Sequence, residues 1–282
     1  MTASSHAPSE DTARVEKLLS MLRDNISQHE SVIVAFSAGV DSTLVLKVAS
    51  EVHGDRALGV MGVSPSVAPE EIADGRKLSE SLGLPVLFVD THEMQEERYV
   101  ANPPDRCFYC KRELYSVCWN VAEQRGFSQI LNGTNADDPG DWRPGLEAAR
   151  KASVHAPLLE CGIGKQDVRR LAAALNLPNH DKPALACLAS RIPYGTSVSA
   201  QRLAAVNTVE AHMRRAGFQQ VRARHHGTEV RLEVESTGVE RLSALIATSE
   251  FEGLLQRAGF SHATVAPDGY LMGRLNKNLE QA

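Results

Sequence analysis

One short stretch constrains the fold more than any other, because a buried strand in it turns directly into a helix. Residues 32–36 are uniformly apolar, residues 37–42 are small and mostly polar, and apolar side chains resume at helical spacing from Leu44 onward. This pattern predicts a strand, a tight turn and a helix. In a parallel sheet such a turn lies at the carboxyl end of the strand, where the helix dipole and unpaired backbone N–H groups favour an anion. Gly39 lets the backbone approach that anion closely, so the sequence predicts a phosphate-binding turn.

The turn differs from two other phosphate-binding motifs. No Gly-Lys-Ser/Thr follows it, as in a Walker A loop, and it lacks the Gly-x-Gly-x-x-Gly pattern of dinucleotide-binding folds. It resembles the Ser-Gly-Gly-x-Asp-Ser loop of the ATP-pyrophosphatase superfamily, whose members cleave ATP between the α and β phosphates and adenylate a substrate. Ala38 stands where that loop has its first glycine, so we expect a more ordinary φ and a slightly different turn there. The alternative is an ordinary strand-to-helix turn with no ligand.

Composition and charge restrict the class of protein. With 282 residues, 43% of them hydrophobic, the chain can bury one large core or two modest ones. Its net charge of −5 argues against a nucleic-acid surface. The five cysteines are irregularly spaced and do not form a disulfide framework. Because the N-terminus lacks a basic and apolar leader and no later stretch is apolar enough to span a membrane, we expect a cytoplasmic protein without membrane contact.

The order of apolar patterns predicts two domains after a disordered tail at residues 1–11. Over residues 12–185 strands alternate with helices, which predicts an α/β domain with a Rossmann-like parallel sheet and helices on both faces. Ser153–Leu158 is a candidate short fifth strand of this sheet. Residues 186–282 change to an α+β pattern, with a helix capped by Ser199, two alternating strands, further helix and a final strand pair.

Three cysteines are candidates for chemistry. Cys107 and Cys110 are three residues apart in the first turn of a predicted helix, where both side chains lie on one face and the helix dipole favours thiolates. With Cys187 as a third ligand they could hold an iron–sulfur cluster or zinc. Cys187 lies beside Ser190 and Arg191, and a nearby guanidinium would favour its nucleophilic thiolate. The alternatives are a redox pair for the first two cysteines and buried, inert thiols for all three.

Carboxylates follow the fourth predicted strand. Asp137, Asp138 and Asp141 are placed at the carboxyl edge of the sheet, where they could hold Mg²⁺ on bound phosphates. The alternative is a solvated polar loop.

Two arginines share one face of a strand in the C-terminal domain. Arg222 and Arg224 alternate with apolar residues, and paired guanidinium groups bind a phosphate or a carboxylate well. The alternative is an exposed strand face with cross-strand pairs to Glu233.

Taken together, the motifs resemble those of the ATP-dependent sacrificial sulfur transferase family, LarE, over nearly the whole chain after the tail. The resemblance implies a PP-loop ATPase fold followed by a smaller domain for substrate binding and sulfur transfer. It also implies that MgATP adenylates a carboxylate of pyridinium-3,5-dicarboxylate mononucleotide, with release of pyrophosphate, and that a thiocarboxylate results for the nickel-pincer cofactor of lactate racemase. The motifs are, in order, Ser-x-Gly-x-Asp-Ser, Asn-Pro-Pro-Asp-Arg-Cys-Phe-Tyr-Cys-Lys, Gly-Thr-Asn-Ala-Asp-Asp, Arg-Pro-Gly, Ala-Cys-Leu-Ala-Ser-Arg-Ile-Pro-Tyr-Gly, Val-Arg-Ala-Arg-His-His-Gly and Arg-Leu-Glu-Val.

The resemblance also implies roles for single residues. In one branch of the family the cysteine matching Cys187 gives up its sulfur and becomes dehydroalanine; in another, three cysteines hold a [4Fe-4S] cluster that carries an extra sulfur. With Cys107, Cys110 and Cys187 present, this sequence resembles the cluster branch. The other implied site residues are Ser37, Gly39, Asp41 and Ser42 for the phosphates and the metal, Arg222 and Arg224 for the substrate phosphate, Glu210 and Glu233 near it, Asp138 in the active site, and Ser190 and Arg191 beside the cysteine.

Two other functions remain open at this stage. A tRNA thiolation enzyme of the same superfamily would also adenylate its substrate, but no basic tail or RNA-binding domain is visible. A non-catalytic nucleotide or iron–sulfur sensor could retain the fold, although the intact Asp41 and Ser42 argue against it. Because the family tends to assemble, we also expect a homo-oligomer.

Overall fold

The chain forms two separate units. A computed structural model describes residues 10–138, 144–183 and 186–271. The predicted tail lies outside the described residues up to residue 9, and residues 10 and 11 already belong to the first helix. The first unit contains described residues 10–63, 69–91, 107–138 and 144–183, and the second contains residues 64–68, 92–106 and 186–271.

The first unit is built on a parallel sheet of four strands in the order β3-β2-β1-β4. Ile33 in the centre pairs with Leu58 on one side and Ile130 on the other. All of β1 is buried, as expected for a parallel strand covered on both faces. The predicted α/β fold is therefore confirmed. Its strands are β1 (Val32–Ala35), β2 (Ala57–Val63), β3 (Val86–Asp90) and β4 (Gln129–Leu131).

Helices connect and cover these strands. The two faces of the sheet are closed by apolar side chains, among them those of Tyr115 and Val121 on a long helix that packs against Ile33 and Ile130. Helices of the first unit are α1 (Glu10–Ser27), α2 (Val40–His53), α3 (Pro69–Ser81), α5 (Arg106–Arg125, whose first residue belongs to the second unit), α6 (Pro144–Lys151), α7 (Pro157–Glu160) and α8 (Lys165–Ala174), and α4 (Glu97–Val100) lies in the second unit.

The expected fifth strand at Ser153–Leu158 is wrong. Only one bridge forms there, between Leu131 and His155. Pro157 then begins α7, because proline has no N–H to donate to a sheet and is well suited to the first position of a helix.

The second unit holds a mixed sheet of three strands, in the order β5-β6-β7. Strands β5 (Val221–His226) and β6 (Glu229–Val234) form an antiparallel hairpin, and β7 (His262–Val265) pairs with β6 in parallel. Within the described chain β7 is a single final strand rather than the expected pair. The helices are α9 (Ala200–Arg215), α10 (Val239–Ile246) and α11 (Ser249–Ala258), and the Ser199 side chain caps α9 as expected by accepting a hydrogen bond from the Arg202 N–H.

No helix in the described part of the chain is long and apolar enough to cross a membrane.

An ion pair between α1 and α8 gives the first unit a testable pH dependence. Arg14 donates two hydrogen bonds to Asp167, at 2.9 and 2.7 Å, and these bonds lower the pKa of the Asp167 carboxyl. A depressed carboxyl pKa stabilises the fold above the unfolded value of about 3.9, and this stabilisation is lost as pH falls through the folded value. We expect Asp167→Asn to lower the melting temperature at pH 7, and we expect this effect to shrink as pH falls below the unfolded pKa and through the lower folded pKa. Asp55→Asn, which alters an exposed aspartate, is the control, and a pH-independent effect of Asp167→Asn would contradict this prediction.

Candidate functional site

The turn between β1 and α2 is cross-linked by its own hydroxyl groups. The Ser42 Oγ accepts a hydrogen bond from the Ser37 N–H at 3.1 Å and donates to the Gly39 carbonyl at 3.2 Å. The Ser37 and Ser42 hydroxyls also contact each other at 3.1 Å. Thr43 adds two bonds to the Gly39 carbonyl, one from its N–H and one from its Oγ1. The four predicted residues of this turn, Ser37, Gly39, Asp41 and Ser42, therefore lie in one rigid loop.

Ala38 does not have the ordinary φ that the sequence analysis expected. Its φ is +55°, in the left-handed region that glycine favours, so the alanine adopts a glycine-like conformation. The expectation was wrong because contacts elsewhere in the first unit hold Ala38 against its local preference, which is about 1–2 kcal/mol.

Backbone N–H groups at the start of α2 remain available to a ligand. Those of Gly39, Val40 and Asp41 have no hydrogen-bond partner among residues 10–138, 144–183 and 186–271. Gly39, at the N-cap of α2, has extended backbone after the left-handed Ala38. Successive free N–H groups at a helix start form a concave site for an anion. The turn therefore has the chemistry of a phosphate site.

Asp41 is held in place from two sides. The Asn135 amide donates to Oδ1 at 3.1 Å, and the Lys165 ammonium donates to Oδ2 at 2.5 Å. Gly133 lies so close to the start of α2 that an added Cβ would be 2.7 Å from the Ser42 nitrogen. Gly133 and Asn135 belong to a motif recognised in the sequence, whereas Lys165 was not among the predicted site residues. Its signal in the sequence is a lysine at a helix start directly after Gly164.

The aspartates after β4 have structural partners. The Asp137 carboxylate accepts the Lys165 N–H at 2.7 Å, and the Asp138 carboxylate accepts the Asn135 N–H at 2.9 Å. The third expected carboxylate, Asp141, lies outside the described residues. Within residues 10–138, 144–183 and 186–271, no three His, Cys, Asp or Glu side chains are grouped closely enough to hold a metal ion.

Cys107 and Cys110 both lie near the start of α5, as expected. Cys107 is exposed and Cys110 is half-buried. Lys111 is next to them: burial alone would lower the pKa of its ammonium, but interactions with Tyr115 and with Cys110, Cys107 and Cys118 outweigh burial and raise it. The ammonium therefore remains charged beside the two cysteines. In Cys118, by contrast, burial raises the thiol pKa to about 12.

Cys187 lies in the second unit, at the start of a short 3-10 turn, Leu188–Arg191. Its carbonyl accepts hydrogen bonds from the Ser190 N–H, the Ser190 Oγ and the Arg191 guanidinium, at 3.0, 2.8 and 2.9 Å. Arg191 also donates to the Ala186 carbonyl. Ser190 and Arg191 thus fix the backbone that presents the half-buried thiol.

A buried ion pair anchors this cysteine loop to α9. The side chains of Arg191 and Glu210 are both fully buried, and Arg191 donates to the two carboxylate oxygens at 2.7 and 2.9 Å. Glu210 also accepts from Arg214 at 2.7 Å and from the Ala223 N–H at 2.9 Å. The loop, the helix and β5 therefore meet at one carboxylate.

The two strand arginines have different surroundings. Arg224 donates to Glu233 at 2.9 Å and to the Ser190 carbonyl at 2.9 Å. Arg222 is 3% exposed and lies over the Tyr270 ring at 5.1 Å. Burial and then the charge of Arg191 lower the pKa of Arg222. The expected alternative of an exposed strand face does not hold for Arg222, which is a buried cation.

Further residues that the sequence analysis quoted without a role also support the loop. Asn102 donates to the carbonyls of Ile192, Pro193 and Thr196. Arg106 donates to the Ala189 carbonyl at 2.9 Å. Their signal was the Asn-Pro-Pro-Asp-Arg motif itself.

We expect Glu210→Ala to destabilise the second unit by about 3–5 kcal/mol, because it leaves the buried Arg191 guanidinium without a counter-charge. Arg214→Ala is the matched control: its side chain is 28% exposed, and its loss leaves the Arg191–Glu210 pair intact, so we expect about 1 kcal/mol or less. Urea unfolding measures the change in the free energy of unfolding for both variants. Equal effects of the two substitutions would contradict the assigned importance of the Arg191–Glu210 pair.

These features define a two-unit α/β protein with an anion-binding turn in one unit and a braced cysteine loop in the other. The chain is 37% identical over 265 residues to the uncharacterized protein slr1717 of Synechocystis sp., covering 94% of this chain and 99% of the relative. It is 35% identical over 254 residues to the pyridinium-3,5-bisthiocarboxylic acid mononucleotide synthase of Lactiplantibacillus plantarum, covering 90% and 91%. It therefore belongs to the LarE family of sulfurtransferases.

A third relative is more distant. The uncharacterized protein MJ0830 of Methanocaldococcus jannaschii is 26% identical over 226 residues, covering 78% of this chain and 84% of the relative. No family model matches the chain.

Proposed function

We propose that this chain is an ATP-dependent sulfurtransferase that adenylates a carboxylate of pyridinium-3,5-dicarboxylate mononucleotide and converts it to a thiocarboxylate. The observation that carries the proposal is the turn at residues 37–42, with free N–H groups at Gly39, Val40 and Asp41, in a chain that matches the L. plantarum synthase over 90% of its length. A sulfurtransferase that activated its substrate without a nucleotide would have no use for this turn.

The first step is the activation of the carboxylate. The substrate carboxylate oxygen attacks the α phosphorus of ATP, the bond to the β phosphate breaks, and pyrophosphate leaves. The N–H groups of the turn and the Ser37 hydroxyl bind the leaving phosphates, and Lys165 supplies a positive charge beside Asp41. Mg²⁺ would neutralise phosphate charge, with Asp41 as its protein ligand and the phosphates supplying further oxygens.

The second step is sulfur transfer. A sulfur nucleophile attacks the acyl carbon of the adenylate, and the bond to the AMP oxygen breaks, so that AMP leaves with its electron pair. As the nucleophile, Cys187 would form a thioester; loss of its α proton to a base would then break the Cβ–S bond, releasing the thiocarboxylate and leaving dehydroalanine. In the alternative, Cys187 would be a ligand that holds the sulfur source. Ser190 and Arg191 keep Cys187 in place through its carbonyl.

Arg222 and Arg224 are proposed to bind the phosphate of the mononucleotide. Arg224 already shares Glu233, whereas the one hydrogen bond that the described structure gives Arg222 goes to the carbonyl of its neighbour, Val221. A bound phosphate strongly stabilises the charge of a buried guanidinium that has no hydrogen-bonded carboxylate.

The proposal includes a [4Fe-4S] cluster. Neither unit by itself contains all three of its proposed cysteine ligands. Cys107 and Cys110 provide two thiolates on one helix turn, with the charged Lys111 beside them. The third proposed ligand, Cys187, belongs to the second unit. When bound, the cluster would carry the transferable sulfur and spare the cysteine side chain.

The proposal is tested by pyrophosphate release from MgATP under anaerobic conditions. We expect release with pyridinium-3,5-dicarboxylate mononucleotide and none with bulk tRNA. Cys187→Ser should retain pyrophosphate release and lose thiocarboxylate formation by more than about a hundredfold, because the nucleophile acts after adenylation.

Release with tRNA alone would indicate a tRNA thiolation enzyme, and no release with either substrate would favour a non-catalytic sensor. Cys161→Ser is the control, since burial raises the pKa of this thiol and no role in the reaction is assigned to it. Thiocarboxylate formation by Cys187→Ser would exclude Cys187 as the essential sulfur residue.

The cluster predicts iron and inorganic sulfide in protein purified anaerobically, with a visible absorption band. We expect Cys107→Ala to lose the iron and Cys161→Ala to retain it. An iron-free, colourless wild-type protein that still makes thiocarboxylate would instead indicate that Cys187 donates its own sulfur.

A further inference from the structure

Asn179, in the segment after α8, contacts the phosphate-binding turn from its buried side. Its Nδ2 donates to the Ala38 carbonyl at 3.2 Å and to the Thr43 Oγ1 at 3.0 Å. The side chain is buried, with 7% of the residue exposed. No role was predicted for Asn179 from the sequence.

The orientation of the Asn179 amide follows from its partners. A backbone carbonyl can only accept a hydrogen bond, so the NH₂ group must face Ala38. The Oδ1 atom is then buried and has no partner among the residues that the structure describes. A buried, unpartnered carbonyl oxygen is destabilising. The presence of asparagine here therefore needs a reason other than global stability.

The contact with Ala38 determines where the next N–H group points. In a trans peptide the C=O and N–H groups point in opposite directions, and this chain has no cis peptide bond among the described residues. Holding the Ala38 carbonyl toward Asn179 therefore turns the Gly39 N–H away from Asn179. This N–H has no partner in the described structure.

Thr43 carries the same restraint to the other side of Gly39. Its Oγ1 accepts from Asn179 and donates to the Gly39 carbonyl at 2.9 Å. Asn179 thus fixes the peptide groups before and after Gly39, through Ala38 directly and through Thr43. Both restraints act on Ala38 and Gly39. The φ of Ala38 is +55°, which alanine disfavours.

We infer that Asn179 is a positioning residue for the nucleotide phosphates: it holds Ala38 in the left-handed conformation and aims the Gly39 N–H at the ligand. This inference rests on the proposed function, since it concerns the same turn. Glycine at position 38 would adopt the left-handed conformation without strain, so the Asn179 amide would not be needed to hold it.

The test is a double-substitution cycle read by equilibrium binding of α,β-methylene-ATP with Mg²⁺ to the full chain. This analogue is not cleaved between its α and β phosphates. We expect Asn179→Ala to weaken binding about tenfold, Ala38→Gly to remain within about twofold of wild type, and the double variant to recover to within about threefold. If Asn179 only stabilised the fold, Ala38→Gly would not restore analogue binding to the Asn179→Ala variant.

Asn25→Ala is the control for loss of an amide whose Oδ1 is buried without a partner among the described residues. Asn25 in α1 also has a buried Oδ1 without a partner in the described structure and donates one hydrogen bond, to Glu160 at 3.0 Å. We expect it to change thermal stability without changing analogue binding. If Asn179→Ala binds the analogue as wild type does, or if Ala38→Gly fails to restore binding, the inference is wrong while pyrophosphate release by wild type still supports the proposed function. A wild-type chain that neither binds the analogue nor releases pyrophosphate would overturn both.

Discussion

The constraint on which the structure depends is the set of unsatisfied N–H groups at the start of α2. A helix cannot satisfy its own first N–H groups, and here the N-cap residue is Gly39, which has no side chain to do so. Because β1 is buried and parallel, it delivers this helix start to the carboxyl edge of the sheet. Around it, Asn135 and Lys165 hold Asp41, and Gly133 permits the close approach of the next strand.

The second unit buries several charged side chains. Arg191 and Glu210 have no access to solvent, yet every oxygen of Glu210 has a donor and the guanidinium also supports the cysteine loop. Removing water makes these interactions strong and geometrically demanding. Arg222, by contrast, is buried with less compensation, and burial lowers its pKa. One arginine is thus used for architecture, while the other is available to an anion.

Several elements could be predicted because their signals are local. The apolar run of β1, the Ser199 cap of α9 and the alternation of β5 and β6 each appear directly in the sequence. The strand expected at Ser153–Leu158 does not form, because Pro157 within this segment begins helix α7. Lys165 was missed because its partner, Asp41, is 124 residues away, and no local pattern indicates such a contact.

The sequence by itself determined the fold class and the family, since periodicity and motif order are properties of the chain alone. The tertiary structure decided what individual side chains do. It showed that Arg191 braces the Cys187 carbonyl, and that Ala38 adopts a glycine-like conformation. The physical reason is that hydrogen bonds between distant segments, such as that from Asn179 to Ala38, override local backbone preference, and only the folded chain brings those partners together.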